Sequence, residues 1–184
     1  MRKWICGIAL IMMVLCLAPA VRAIGWGVGA FGGVSIPIVQ KDATNGYAAG
    51  VHLRFSLAGL LGLEPNFTYF HDGKWTYKNE GALIYSGEGS KISAFGVNAI
   101  IGGVGPLTGF RFFPFIGAKF YNLKKFGLDS QTQIGWNVGM GLEIGVGNIG
   151  IEARASGELM KTKGSASRKW AHITGGLNYY FGAK

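Results

Sequence analysis

Apolar and polar residues alternate strictly along the segment from Ile134 to Leu159. In its first half the even positions are apolar, whereas the odd positions are small or polar. A period of two predicts a β-strand with one apolar face and one polar face. Gly147-Asn148 interrupts the alternation, and beyond this pair the apolar residues fall on odd positions. Because these two residues suit a two-residue hairpin turn, the segment predicts two antiparallel strands.

The same alternation predicts six further strands, and the charged residues again share a face with the glycines. Phe31, Ile92 and Ile100 fit less well, because they place large apolar side chains on the polar face, and Pro65 removes a ladder donor. The pattern predicts an all-β fold, an eight-stranded antiparallel up-and-down transmembrane β-barrel with an apolar exterior and a polar interior. The predicted strands are 25–36, 47–57, 63–70, 92–104, 112–121, 134–146, 149–159 and 171–181.

The connections alternate in length, with the long ones after the first, third, fifth and seventh strands, at 37–46, 71–91, 122–133 and 160–170. Membrane barrels have short periplasmic turns and long outer loops, so we expect both termini on the periplasmic side. Aromatic residues near the strand ends predict two interfacial girdles. One contains Trp26, Phe55, Phe112, Tyr179 and Phe181, and the other contains Tyr47, Tyr69, Phe120, Trp136 and Trp170.

Ionisable residues within the predicted strands all fall on the inward face. With a two-residue turn, Glu143 lies directly opposite Glu152, and opposed like charges need cations. We therefore expect a polar network that fills the lumen. A rearrangement of this network could gate a narrow pore, although a static interior fits the same residues and we favour it. The network comprises Arg54, Glu64, Lys119, Glu143, Glu152, Arg154 and Glu158, together with His52 and His172.

The composition agrees with a membrane barrel better than with a soluble globule. The chain has 32 glycines and only 15% charged residues, against about 25% in typical soluble domains. Beyond the N-terminal segment, no stretch reaches the roughly 18 consecutive apolar residues of a membrane helix. The apolar residues of the mature chain are therefore placed at alternate positions and not in one continuous segment.

Residues 1–23 have the features of a secretory signal peptide, which leaves 24–184 as the barrel domain. Arg2-Lys3 precede the apolar run Trp4 to Leu17, and Val21-Arg22-Ala23 suits cleavage after Ala23. An uncleaved anchor helix is the alternative, and a lipid anchor at Cys16 is disfavoured by the preceding leucine. Both cysteines lie in this segment, so the mature fold cannot depend on disulfides.

Two short segments of the mature chain, together with the signal segment, carry a resemblance to a known group. These are Pro114-Phe115-Ile116-Gly117-Ala118 and the ending Gly176-Leu177-Asn178-Tyr179-Tyr180-Phe181. The chain resembles the small outer-membrane β-barrel proteins, which include the OmpA transmembrane domain, OmpX and the outer-membrane β-barrel domain family. The resemblance implies a monomer in the bacterial outer membrane, recognised by the outer-membrane assembly machinery through its C-terminal strand. Here Gly182-Ala183-Lys184 follow the final phenylalanine.

The resemblance and the charges favour a structural or surface-interaction role. The four long loops carry ten basic and five acidic residues. Such loops could neutralise the phosphates of lipopolysaccharide and other outer-membrane lipids. The basic cluster at 161–169 belongs to no nucleic-acid-binding module, so we expect no nucleic acid partner.

Two other classes of function are weaker alternatives. Ser156, Glu158 and His172 share the inward face, which allows a lipid A-modifying barrel enzyme, but no acyltransferase or esterase motif surrounds the serine. We therefore expect no enzyme. A soluble exported ligand-binding β-barrel is the architectural alternative. The three histidines lack metal-ligand spacing and the glycine pairs form no phosphate loop, so we expect no metal and no cofactor.

Overall fold

The computed structural model describes residues 25–38, 43–58, 60–79, 82–87, 89–106, 108–124, 131–161 and 167–181. The predicted signal peptide and the tail 182–184 lie outside the described residues. Ten strands are present in this part of the chain: β1 (Trp26–Pro37), β2 (Gly46–Ala58), β3 (Leu61–His71), β4 (Trp75–Asn79), β5 (Ala82–Gly87), β6 (Lys91–Ile101), β7 (Gly109–Lys124), β8 (Gln131–Val146), β9 (Ile149–Lys161) and β10 (Ser167–Phe181).

Eight of these strands close into an antiparallel barrel in the order β1-β10-β9-β8-β7-β6-β3-β2. β1 pairs with β10 on one side and with β2 on the other, so the barrel sheet has no free edge. Closure gives every barrel strand a hydrogen-bonded neighbour on both sides, as a bilayer requires of a β-structure that spans it. The predicted all-β, eight-stranded architecture is confirmed. Among the described residues, no helix is long and apolar enough to cross a membrane.

The β8–β9 hairpin has the predicted two-residue turn. Val146 pairs with Ile149, and Gly147 has a φ of 62°, a value that glycine adopts without strain. This register places Glu143 directly opposite Glu152, as the sequence predicted. We call this end of the barrel the turn end, and the opposite end, from which the long connections leave, the loop end.

The prediction that all of 71–91 is loop was wrong. β4 and β5 form a separate two-stranded antiparallel sheet in the connection between β3 and β6, with Tyr77 paired with Tyr85. Aromatic and branched residues favour strands, and the polar residues between them had suggested a continuous loop.

The bounds of the barrel strands differ from those predicted at several ends. β6 ends at Ile101 and not at residue 104, because Gly102, Gly103 and Gly105 adopt φ values of 131°, 79° and 140° and turn the chain away. β7 begins at Gly109, three residues earlier than predicted, and continues to Lys124. The earlier start brings Arg111 into the barrel wall.

The barrel wall has an apolar exterior. Large apolar side chains are exposed at alternate positions, such as Trp136, Val138, Ile151 and Ile173, each with 59–61% of its surface accessible. The residues between them are buried in the lumen. Ile92 and Ile100, which fitted the alternation poorly, do point inwards and are at most 1% exposed.

Candidate functional site

The structure places all nine of the predicted interior residues inside the barrel. None of them exposes more than 8% of its surface. Eight of them fall, together with Arg111 and Tyr121, into two groups along the barrel axis, while His52 lies beside Asn178. The arginine cluster, nearer the turn end, comprises Arg54, Arg111, Arg154, Glu64, Glu143 and Glu152, and the lysine cluster, nearer the loop end, comprises Lys119, Tyr121, Glu158 and His172.

Arg54 is the centre of the arginine cluster. Its three guanidinium nitrogens donate to three different carboxylates: Nε to Glu64 at 2.8 Å, Nη1 to Glu143 at 2.6 Å and Nη2 to Glu152 at 2.5 Å. Glu143 and Glu152 belong to β8 and β9, whereas Arg54 extends from β2 on the other side of the lumen. The side chain therefore links opposite walls of the barrel and compensates the two opposed glutamates.

Arg154 pairs with Glu64 in a bidentate arrangement. Its Nη1 and Nη2 donate to the two oxygens of Glu64 at 2.8 and 2.5 Å, and its Nε lies 2.8 Å from Glu152 Oε1. Bidentate arginine–carboxylate pairs are among the strongest and most directional polar contacts in proteins. Glu64 thus accepts hydrogen bonds from both Arg54 and Arg154 while it is fully buried.

Sequence reasoning missed Arg111. Its Nη2 donates to Glu143 Oε1 at 2.8 Å and to the Tyr180 hydroxyl at 2.8 Å. The predicted strand began at residue 112, one position too late, although Arg111 has the same odd parity as the inward Phe113 and Lys119. With Arg111 included, the two clusters contain four acidic and four basic side chains, and the ionised interior of the described barrel is electrically balanced.

The lysine cluster is built around Glu158. Lys119 Nζ donates to Glu158 Oε1 at 2.7 Å, and the Tyr121 hydroxyl donates to Glu158 Oε2. His172 Nδ1 lies 3.8 Å from Glu158 Oε1. Both oxygens of this buried carboxylate are therefore occupied by donors from β7.

Asparagine side chains extend the hydrogen bonding between these charges. Asn98 Nδ2 donates to Glu64 Oε1, and Asn137 Nδ2 donates to Asn98 Oδ1, each at 2.8 Å. Asn178 donates to both Glu143 and Glu152, and its Oδ1 lies 2.7 Å from His52 Nε2. Neutral amides can donate and accept at once, so they pass hydrogen bonds between neighbouring strands without adding charge.

Aromatic rings inside the lumen pack against the guanidinium groups. Arg54 lies 4.7 Å from the ring centroid of Phe113, and Arg154 lies 5.4–5.7 Å from the centroids of Phe31, Phe113 and Phe115. Cation–π attraction is strongest where water is excluded. This explains Phe31, which interrupts the alternation of β1: its ring faces inwards, 5.7 Å from the ring of His52.

An apolar plug fills the lumen at the loop end. Phe70 and Trp170 meet edge to face, with ring centroids 5.3 Å apart. Every member of the plug is at most 5% exposed, so side chains occupy the axis of the barrel at this level. The plug consists of Ala48, Phe70, Ile92, Ala94, Tyr121, Leu123, Met160 and Trp170.

The assignment of Trp170 to the outer aromatic girdle was wrong. Trp170 is fully buried in the plug, and its Nε1 donates to Asp72 Oδ1 at 2.8 Å. β10 begins at Ser167, so Trp170 lies within the strand and shares the inward parity of His172. A buried indole needs a partner for its N–H, and Asp72, just beyond the end of β3, supplies it.

The other nine predicted girdle residues face outwards. Their exposure is intermediate where neighbouring rings cover them, as in Phe181, whose ring stacks on Trp26 with centroids 4.1 Å apart. Trp26, Tyr47, Phe112, Phe120, Trp136 and Tyr179 are exposed, and Phe55, Tyr69 and Phe181 are partly exposed.

Inward glycines make room for the large interior side chains. A β-carbon on Gly141 would collide with the ring of Phe113, one on Gly150 with the carboxylate of Glu143, and one on Gly29 with His52 and Asn178. On the outer wall, an added β-carbon at Gly175 meets only a backbone oxygen, at 3.7 Å. The glycines and the charges share a face because long side chains from one strand lie over the glycines of the next.

The candidate catalytic residues are also inside the barrel. Ser156 and His172 are direct partners across the β9–β10 ladder, and both line the same interior cavity as Glu158. The apolar plug lies between them and the loop end. In the described part of the chain, no group of three or more His, Cys, Asp or Glu side chains could hold a metal ion.

Comparison with known proteins finds similarity at the level of structure. No family model matches the chain, and no curated protein matches its sequence. The solved structures below are similar to it, at identities that establish a shared fold and no more.

Neisserial surface protein A has a TM-score of 0.66 and 14% identity over 85% of this chain and 97% of that one. The N-terminal β-barrel domain of Pseudomonas aeruginosa OprF has a TM-score of 0.58 and 17% identity, covering 85% and 97%. Ail, the attachment invasion locus protein of Yersinia pestis, in complex with the heparin analogue sucrose octasulfate, has a TM-score of 0.51 and 14% identity, covering 86% and 99%. The chain therefore has the fold of the small eight-stranded outer-membrane barrels, as its resemblance to them predicted.

Proposed function

We propose that this chain is an integral protein of the bacterial outer membrane, exported through a cleaved signal peptide, with a structural or surface-interaction role and no enzymatic activity. The observation that supports this most directly is the distribution of charge in the barrel wall. Every ionised group of the arginine and lysine clusters is paired, and all of them except the part-buried Arg111 are buried, while the outer wall presents large apolar side chains. A soluble barrel has the opposite arrangement, with a polar exterior.

The lumen is closed to solutes in this proposal. A solute that enters from the loop end meets the apolar plug and then the two charged clusters, each of which spans the axis with side chains. An eight-stranded barrel has an interior just wide enough for such side chains. A gated pore requires the plug and both charged clusters to open together.

Electrical recording tests whether the lumen is closed. In planar bilayers the parent protein is expected to produce no current steps. Trp170→Ala opens the plug alone, Arg54→Ala the arginine cluster alone and Lys119→Ala the lysine cluster alone, so each variant is expected to remain closed. The triple variant, with all three barriers removed, is expected to conduct. Steps from the parent at moderate voltage would contradict a closed lumen.

The charged residues exposed on the described surface suggest the partner. All of them are lysines, and all lie at the loop end: Lys74, Lys91, Lys161 and Lys169. Every acidic residue in this part of the chain is buried. The residues that end the wall at the turn end, such as Val146 and Ile149, are apolar. Basic groups beside an anionic leaflet are favourable by about 1 kcal/mol each.

We therefore propose that the loop end contacts the phosphates of lipopolysaccharide. Lys91, Lys161 and Lys169 lie on outward parity at the ends of their strands, above the aromatic girdle, where lipid head groups are expected. The similar Ail barrel has been crystallised with a sulfated polyanion, which supports recognition of anionic groups by this fold.

A vesicle experiment tests this contact. Lipopolysaccharide added to phosphocholine vesicles is expected to raise the unfolding temperature of the parent. The triple variant with glutamine at 91, 161 and 169 should lose most of that increase, whereas arginine at the same three positions should retain it. An equal increase in the glutamine variant would overturn the proposed contact and leave the barrel assignment intact.

The last strand is proposed to engage the outer-membrane assembly machinery. Leu177, Tyr179 and Phe181 alternate along the outer face of β10 up to the end of the strand. Phe181→Ala is expected to reduce the folded fraction in cells, while refolding of the same purified variant into vesicles is preserved. Equal losses in both settings would assign Phe181 to barrel closure alone, since its ring stacks on Trp26.

A further inference from the structure

A small cavity lies inside the barrel between the arginine and lysine clusters. It offers about 20 Å³ of space for water. Five buried polar atoms of its lining residues have no hydrogen-bond partner among the described residues. One of them, Arg154 Nε, lies 2.8 Å from Glu152 Oε1 and is compensated by that charge. The other four have no such neighbour: Asn66 Oδ1, Thr68 Oγ1, Asn137 Oδ1 and His172 Nε2. Their residues are at most 3% exposed. Unpaired buried polar atoms are costly, and here four belong to the lining of one space.

The orientation of the asparagines is determined by their neighbours. Glu64 can only accept, so Asn98 presents its Nδ2 to Glu64 Oε1 and its Oδ1 to Asn137 Nδ2. The remaining atom of Asn137 is therefore an oxygen. Asn66 likewise donates its Nδ2 to the backbone oxygen of Glu64 at 3.0 Å, which leaves its Oδ1 free. Both amides offer acceptors to the cavity.

The other two unpaired atoms, in His172 and Thr68, can also accept hydrogen bonds. Glu158 Oε1, 3.8 Å from His172 Nδ1, favours the tautomer that carries its proton on Nδ1, so Nε2 is an acceptor. The Thr68 hydroxyl can donate or accept. The ligand must therefore be small and must donate hydrogen bonds.

Charge and size select among such ligands. The surrounding clusters are already balanced, with four acidic and four basic side chains, so a cation would add an uncompensated charge in a dry interior. A water molecule is neutral, donates two hydrogen bonds and requires about 10–15 Å³ on the same measure of volume. We infer that the cavity is a specific binding site for a resident water molecule that donates to acceptors on different walls of the barrel.

This water joins the two charged clusters. Asn137 is linked through Asn98 to Glu64 in the arginine cluster, and His172 lies beside Glu158 in the lysine cluster. Water bound between them makes the polar interior one continuous network that contacts β3, β8 and β10. Buried waters with two to four polar partners are integral to structure and costly to remove.

The experiment uses oxygen-17 relaxation dispersion on the full mature chain in lipid nanodiscs, together with urea unfolding in vesicles. The parent is expected to show a resident water that exchanges more slowly than the particle tumbles. Thr68→Val, which keeps the side-chain volume, is expected to reduce that signal by at least half and to lower the urea midpoint. Ser35→Ala is the matched control, because this buried hydroxyl also lacks a partner among the described residues but does not line the cavity; it should leave the water signal unchanged.

Three outcomes would overturn the inference. One is a parent without slowly exchanging water. A second is a higher urea midpoint for Thr68→Val, since removal of an unsatisfied hydroxyl from a dry site stabilises the fold. The third is a midpoint that rises with sodium chloride but not with choline chloride at equal ionic strength, which would identify a bound cation in place of water.

Discussion

Glu143 and Glu152 face each other directly across the β8–β9 ladder, and Arg54 from the opposite wall donates to both of them, at 2.6 and 2.5 Å. Two carboxylates in this position repel each other. Arg54 compensates this repulsion and links opposite walls of the lumen, because one guanidinium can donate to several acceptors in its plane. The stability of the barrel should therefore depend on this residue more than on any charge at its rim.

Substitution of Arg54 tests this dependence. Arg54→Met leaves buried carboxylates without their shared cation, and loss of one partner from a buried ion pair costs about 3–5 kcal/mol. The free energy of unfolding in urea should fall by this amount. In the Glu143→Gln background the same substitution should cost less, with a coupling of about 0.5–3 kcal/mol. Lys169→Met, at the exposed rim, should change stability by at most about 0.5 kcal/mol. Simple additivity of Arg54→Met and Glu143→Gln would argue against the shared cation.

A pair of glycine substitutions tests whether the inner glycines make room for the network. Gly141→Ala places a methyl group against the ring of Phe113, which itself packs on Arg54. Overpacking of this kind costs about 1–3 kcal/mol. Gly175→Ala on the outer wall meets only a backbone oxygen at 3.7 Å, and alanine in a strand costs less backbone entropy than glycine. We expect urea unfolding to show a loss for the first variant and a neutral or small positive change for the second. Equal effects of the two substitutions would mean that the inner glycines are not needed to accommodate the network.

The connection after β3 provides a pH-dependent prediction. Burial raises the pKa of the Asp72 carboxyl above its usual value, while the hydrogen bond from Trp170 and the charges of Arg168 and His71 oppose the increase. A carboxyl whose pKa is higher in the folded state binds its proton more tightly there, so folding becomes less favourable as the pH rises through the range between the unfolded and folded pKa values.

Asp72→Asn removes this ionisation and retains an oxygen that can accept from Trp170. The stability of the variant relative to the parent should therefore increase as the pH rises from about 4, as measured by unfolding midpoints in a pH series. A stability difference that decreases over this range would mean that ionised Asp72 stabilises the fold. Ser90→Ala, at the opposite end of the same connection, should show no change with pH.

Local alternation was sufficient to predict the wall of the barrel, because a period of two leaves only one assignment of inside and outside once a single residue is placed. It also placed Glu143 against Glu152, since a two-residue turn determines the register. Arg111 was missed because the predicted strand began at residue 112, whereas β7 begins at Gly109. Trp170 was misplaced for the same reason, although His172 two positions later had already indicated its face.

Contacts across the lumen could not be predicted from the alternation along single strands. The pairing of Arg54 with Glu143 or of Arg154 with Glu64 depends on which strands lie opposite each other and on the stagger of the barrel, and neither is encoded in a single strand. The interior plug was also unexpected, because Phe70, Ile92 and Met160 are apolar residues on a face where polar ones predominate. The β4–β5 sheet was hidden by the polar residues of its turn.

We propose that hydrocarbon surrounds the outer wall while the charges lie within. Spin labels at 136, 138, 142, 151 and 173, one at a time in lipid vesicles, test it most directly, with a label at exposed Lys74, in the connection after β3, as the aqueous control. We expect oxygen dissolved in the bilayer to relax all five labels, while a water-soluble nickel chelate relaxes only the label at 74. Access of the chelate to the five wall positions, without access of oxygen, would contradict it.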